Sequence, residues 1–152
     1  ENLNGSTPCL MAAQLGHTET LEALTLAKAD IDKSNKSTFA TPALLAAQQG
    51  HSHVIQLLGR SQANFMLKTK SGITPILAAV LKSDLKILTA LLAATVDAGH
   101  SDESGELGPA AAAVLLGDQL MLKALVAATV DVEAKYGDPL VTHAVQGSHL
   151  QI

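Results

Sequence analysis

Apolar residues return along this chain in paired short bursts that keep register with one another. Val54, Ile87 and Met121 fall at steps of 33 and 34 residues, with Thr20 opening the column. Leu21, Ile55, Leu88 and Leu122 form a second column, and Leu24, Leu58, Leu91 and Leu125 a third. Within each unit these positions are spaced by one and three residues, which places them on one face of a helix. Ala29, Ala63, Val96 and Val130 follow as a further column after the helix, and Ala-Ala-Thr-Val-Asp occurs identically at 93–97 and 127–131. These residues read as core packing.

A second, shorter burst precedes each of these helices, and its ends are marked. The stretch Gly5-Ser6-Thr7-Pro8 runs through Ala12-Ala13 to Gly16-His17. It returns as Phe39-Ala40-Thr41-Pro42 through Ala46-Ala47 to Gly50-His51, and as Gly72-Ile73-Thr74-Pro75 through Ala78-Ala79 to Ser83-Asp84. Weaker copies are Gly108-Pro109 with Gly117-Asp118, and Asp138-Pro139 with Gly147-Ser148. The five prolines are separated by 34, 33, 34 and 30 residues. A fixed period of this size specifies a repeat array rather than one continuous core.

The punctuation predicts where helices begin and end. Thr7 can cap a helix by accepting from a first-turn N–H. Pro8 suits the first helical position, where a missing N–H costs nothing. Cys9, Ala12 and Ala13 give a small inward face, and Gly16 suits the left-handed residue that ends a helix. The first unit is therefore a helix over about Pro8–Leu15 and a second over about Thr18–Leu26. Gly59 is expected to end the second helix of its unit early. The polar segments Asp30–Ser37, Asn64–Ser71, Asp97–Gly105 and Asp131–Gly137 read as hairpin-like turns, the fourth clipped by about four residues.

Composition fits close helix packing: apolar residues make up 47% and aromatics only 2%. The stretch 107–130 carries only Asp118 and Lys123 as charges, and a spanning helix takes about 20 apolar residues. Its break at Gly117 reads as two short helices, so no membrane insertion by this segment is expected. The formal net charge of −4 opposes general nucleic-acid binding, which needs a basic footprint. Charge is uneven. From Arg60 to Ala90 the residues Arg60, Lys68, Lys70, Lys82, Lys86 and Asp84 give a net of +4. From Leu91 to Asp118 the residues Asp97, Asp102, Glu103, Glu106 and Asp118 give −5. Such asymmetry can orient a partner.

Candidate chemistry is sparse. Cys9 cannot form an internal disulfide and reads as a small buried residue; its lone state fits a reducing, cytoplasmic or nuclear location. His17 and His51 hold the Gly-His position, with a turn and capping role. His51 and His53 lack a ligand set for a metal. No catalytic motif is present, and Gly105-Glu106-Leu107-Gly108 lacks the lysine and spacing of a phosphate loop. No cofactor, metal or catalytic residue is expected.

A 33-residue helix–turn–helix period, opened by Gly-x-Thr-Pro and closed by Gly-His, resembles the ankyrin repeat. The likeness is strongest in the first three units and covers nearly the whole chain. It departs where the family pattern has histidine after Thr-Pro-Leu: here stand Leu10, Leu44 and Leu77, so apolar packing must replace a threonine–histidine hydrogen bond. The resemblance implies an all-α solenoid of helix pairs with hairpin-like turns, about four and a half repeats. The units are about 2–35, 36–68, 69–102, 103–132 and 133–152. With no polar terminal unit evident, the chain is expected to be part of a longer array, in which flanking repeats of the same chain could pack on it.

The resemblance also implies non-catalytic binding of a protein or peptide on a concave face made by turn tips and the outer side of each first helix. A structural spacer positioning other domains is the alternative. By register the contact residues are Leu15, Gln48, Gln49, Lys70, Ile73, Leu81, Lys82, Leu107, Leu115, Leu116, Val145 and Gln146. Ala40 and other turn residues share that register. The apolar members point to units three to five binding an apolar-rich segment, flanked by Lys70 and Lys82.

Overall fold

The computed structural model describes residues 5–94 and 108–128. Among the described residues there are eight helices and no strand. In chain order they are α1 (Pro8–Leu15), α2 (Thr18–Leu26), α3 (Pro42–Gln49), α4 (Ser52–Arg60), α5 (Pro75–Leu81), α6 (Leu85–Ala94), α7 (Pro109–Leu116) and α8 (Gln119–Ala128). They form four antiparallel pairs in the expected register. The stretch after Gly108 is two short helices broken at Gly117, and no helix among the described residues is long and apolar enough to cross a membrane.

The pairs start as the sequence indicates. Thr7, Thr41 and Thr74 are extended and accept from the backbone N–H of Leu10, Leu44 and Leu77 at 3.2, 3.3 and 3.2 Å. Proline follows at the first helical position each time. In the fourth pair Gly108 replaces threonine, so α7 begins with no side-chain cap. The first helices end on left-handed glycines: Gly16, Gly50 and Gly117 have φ of 74°, 78° and 67°. The third pair lacks that glycine, and Ser83 adopts the same turn at φ 51°, a conformation a residue with a Cβ takes at a cost.

The helices form two rows. First helices pack as α1 on α3, α3 on α5 and α5 on α7; second helices pack as α2 on α4, α4 on α6 and α6 on α8. The core lies between the rows. Leu21, Ile55, Leu88 and Leu122 are all buried, as are Val54, Ile87 and Met121. Each such leucine removed from water contributes about 1.5–3 kcal/mol. Thr20, at the head of the first column, is exposed. Leu24 is only half-buried, unlike Leu58, Leu91 and Leu125. The substituted leucines Leu10, Leu44 and Leu77 are buried, so apolar packing does occupy the positions where the family pattern places histidine.

Alanine sets the spacing within the first row. Ala12, Ala13, Ala46, Ala47, Ala79, Ala112 and Ala113 are all buried, and their short side chains bring neighbouring helices close. Gly59 corrects the expectation of an early helix end. The helix α4 passes through it and stops at Arg60, in register with Leu26 at the end of α2. Its role is clearance: a Cβ built on Gly59 would lie 2.7 Å from the Cβ of Ala94 in α6.

The two described turns between pairs, before α3 and before α5, close by backbone hydrogen bonds without forming strands, while the turns expected over Asp97–Gly105 and Asp131–Gly137 lie outside the described residues. Asn35 N–H donates to the Ala40 carbonyl at 3.0 Å, and Thr69 N–H to the Ile73 carbonyl at 3.1 Å. Successive turns are tied together: Lys70 N–H donates to the Thr38 carbonyl at 3.1 Å, and Asn64 N–H to the Asp32 carboxylate at 2.9 Å. The turns therefore continue the first-helix row as a supported edge.

Candidate functional site

Because the core lies between the rows, the outer side of the first helices is left facing solvent. Register fixes which residues occupy it. On α1 these are Gln14 and Leu15, both exposed, and on α3 they are Gln48, half-buried, and Gln49, exposed. At the end of α5 they are Leu81 and the C-cap residue Lys82, and on α7 Leu115 and Leu116, all exposed. Leu81 and Leu115 hold equivalent positions on adjacent helices, as do Lys82 and Leu116. Among the described residues these positions recur in register along the row α1, α3, α5 and α7, whose neighbours are in contact.

Five predicted positions are less simple. Ile73 is half-buried and packs on a small cluster of Ala40, Leu44 and Ala78. Ala40 itself is buried at 5% exposure, which corrects its assignment to the contact register: it roots the turn into the first helices. Leu107, Val145 and Gln146 lie outside the described residues.

The two predicted flanking lysines are held by their own chain. The Lys82 ammonium donates to the carbonyl of Gln48, in the last turn of α3, where carbonyls lack helical partners and the dipole favours a cation. An ammonium carries three donors, and this bond uses one. The Lys70 ammonium lies 4.8 Å from the centroid of the Phe39 ring, within the range of a cation–π contact.

Four exposed apolar residues on first helices and turns were missed by the register argument, among them Met66 and Leu67 in the turn before α5. Met11, on α1, is 52% exposed, and Phe39, in the turn before α3, is 47% exposed. Phe39 did carry a signal in the sequence. It stands where Gly5 and Gly72 stand in the neighbouring copies, and all three share a positive φ, 73°, 62° and 77° in chain order.

Polar groups between pairs serve stacking. A ring nitrogen of His51 lies 3.1 Å from the Gln14 carbonyl, tying the second pair to the end of α1. The capping role expected of the Gly-His histidines is corrected here: neither His17 nor His51 makes a side-chain cap bond. The aspartates at the equivalent positions do, Asp84 accepting from Ile87 N–H at 3.0 Å and Asp118 from Met121 N–H at 3.1 Å. A short carboxylate reaches the first-turn N–H, whereas the imidazole is turned toward the neighbouring repeat.

Elsewhere the chemistry is quiet. Cys9 is buried, and its pKa is raised, chiefly by burial and then by the charge of Asp30, so the unreactive thiol is favoured. No cluster of metal-ligating side chains occurs among the described residues. A surface depression of about 300 Å³ between α4 and α6 is lined by Gln56, Gly59, Arg60, Ala90, Ala93 and Ala94, a set with no nucleophile and no general base.

Comparison with known proteins agrees with this architecture. A sequence model of ankyrin repeats matches residues 9–102, in three copies, and so covers more than half of the chain. A search of curated proteins finds no match.

Proposed function

Because this chain belongs to the ankyrin repeat family, whose members serve in general as protein–protein interaction modules, we propose that it holds a protein or peptide segment on the outer side of its first helices and turn tips. The observation that carries this reading is an asymmetry in exposed apolar surface. Met11, Leu15, Phe39, Met66, Leu67, Leu81, Leu115 and Leu116 lie on first helices and turns, while Leu26, Leu85 and Leu120 lie on second helices. Water-exposed leucines and methionines gathered on one side favour contact with another apolar surface.

Leu15, Leu81, Leu115 and Leu116 supply the apolar contacts. Gln48, Gln49, Lys70 and Lys82 supply hydrogen bonds around them, and Ile73 supports the turn from beneath. By sequence register Leu107 belongs with Leu115 and Leu116 in the fourth unit, and Val145 and Gln146 to the fifth. The module performs no chemistry of its own: specificity comes from the irregular residues that a repeated scaffold leaves free, and rigidity from stacked pairs.

The test is capture by the intact chain compared with a Leu81→Gln/Leu115→Gln double variant. Both side chains are exposed, so the variant keeps its fold and its thermal midpoint. Retained partners should be lost from the variant. Capture unchanged by the two substitutions would refute the assignment of this face.

A further inference from the structure

Of the four residues other than glycine that have positive φ among those described, three are explained by helix ends. Lys28 and Gln62 follow α2 and α4, and Ser83 follows α5. Phe39 is the fourth, and it sits in a turn. A bulky residue at φ 62° is an outlier, a conformation that glycine takes without the Cβ clash. The neighbouring copies avoid that clash by having Gly5 and Gly72. The unfavourable backbone places an aromatic ring, about half exposed, on the turn edge.

The ring is held in place. Phe39 N–H donates to the Asn35 carbonyl at 3.1 Å, and the Lys70 backbone bonds the Thr38 carbonyl beside it, bringing the Lys70 ammonium over the ring. In the first turn the equivalent lysine, Lys36, packs against the glycine itself, since a Cβ added at Gly5 would meet the Lys36 side chain at 2.8 Å. Backbone strain held by its surroundings concentrates at binding sites.

Charge specifies what such a site takes. The net charge of the chain is −4. Yet residues 30–51 and 66–83, which make the turns and first helices of the second and third pairs, contain Lys33, Lys36, Lys68, Lys70 and Lys82 against Asp30 and Asp32, a net of +3, and the Asp32 carboxylate is engaged by the Asn64 N–H. Asp84 and Asp118 are engaged in capping α6 and α8. This part of an acidic protein carries net positive charge, with the Lys70 ammonium over the Phe39 ring and Lys82 next to Leu81 in the chain.

We propose that Phe39 and Lys70 anchor an acidic segment of a partner protein, the ring taking an aliphatic or aromatic side chain while Lys70 and Lys82 take carboxylates. This rests on the first-helix face being the binding face, and it names the chemistry of the occupant. The ring quadrupole favours an anion at its edge and apolar contact across its face. Neighbouring lysines raise the encounter rate of a negatively charged segment.

The test uses the full chain and a fluorescent dodecapeptide repeating Glu-Glu-Leu, with a Lys-for-Glu counterpart, oligothymidylate and phosphatidylserine vesicles as competing probes. The acidic peptide should bind, and the basic one should not. Phe39→Gly and Lys70→Gln should each weaken binding about fivefold or more. The glycine variant restores the residue of the neighbouring turns, so its thermal midpoint should not fall. Equal binding by Phe39→Gly, equal binding of the basic peptide, no binding of the acidic one, or preference for the oligonucleotide or vesicles would each overturn the proposal. Peptide binding that survives Phe39→Gly but is lost in Leu81→Gln/Leu115→Gln would overturn the anchor and leave the face intact. Binding indifferent to both variants would overturn the two together.

Discussion

Gly59 tests the packing of the second-helix row. Replacing it by alanine favours the isolated helix by about 1 kcal/mol, since glycine is the poorer helix former. In the folded array the new methyl would stand 2.7 Å from the Cβ of Ala94 and 3.4 Å from its Cα. Carbon atoms in comfortable contact lie about 3.5–4.0 Å apart, so α4 and α6 would have to separate by about 1 Å. The obstructing methyl is fixed to backbone and cannot rotate aside. Overpacking of this kind costs about 1–3 kcal/mol, which exceeds or cancels the propensity gain. Gly59→Ala should therefore leave stability unchanged or lower it by up to about 2 kcal/mol, measured by urea denaturation. Ala94→Gly in the Gly59→Ala background should recover stability, giving a coupling energy of about 1–2 kcal/mol in a double-mutant cycle. A Gly59→Ala variant stabilised by a full 1 kcal/mol, with no coupling to Ala94, would refute the close approach of these helices.

Other substitutions probe the punctuation and the core. Thr41→Ala removes a buried cap and leaves the Leu44 N–H without its partner, so it should destabilise by about 1–2 kcal/mol in thermal melts; Thr74→Ala should do the same. Ser83→Gly supplies the residue that the left-handed turn favours and should stabilise by about 1 kcal/mol. Asp84→Ala should cost about 1 kcal/mol by uncapping α6. Cys9 should react with iodoacetamide only as fast as the array opens. Because burial raises its pKa in the folded chain, the folded state holds the proton more tightly. That contribution to stability is complete below the unfolded thiol pKa and is lost as pH rises through the folded one, so Cys9→Ala should flatten the alkaline limb of the stability profile.

The period, the helix starts and the inward leucines were legible because each is set by local rules that recur in register. Thr7-Pro8, Thr41-Pro42 and Thr74-Pro75 cap helices through contacts three residues away, which sequence spacing encodes directly. Gly59 was misread because its role depends on Ala94, 35 positions later, and local propensity alone makes glycine a helix breaker. The histidines at 17 and 51 were misread for a similar reason: their position is a cap position, but the side chain of His51 reaches back to the previous pair. On the surface, register located Leu81, Leu115 and their neighbours. It passed over Phe39, whose departure from glycine in the Gly-x-Thr-Pro pattern was visible, but whose pairing with Lys70 arises only when adjacent turns stack.

The central claim is that recognition occurs on the first-helix row. Amide hydrogen exchange of the chain, alone and saturated with a captured partner, tests it most directly. The claim predicts added protection in the turn residues 35–40 and 66–73 and in α5 and α7, with α4, α6 and α8 unchanged. Protection confined to the second helices, with the turns exchanging as in the free chain, would contradict it.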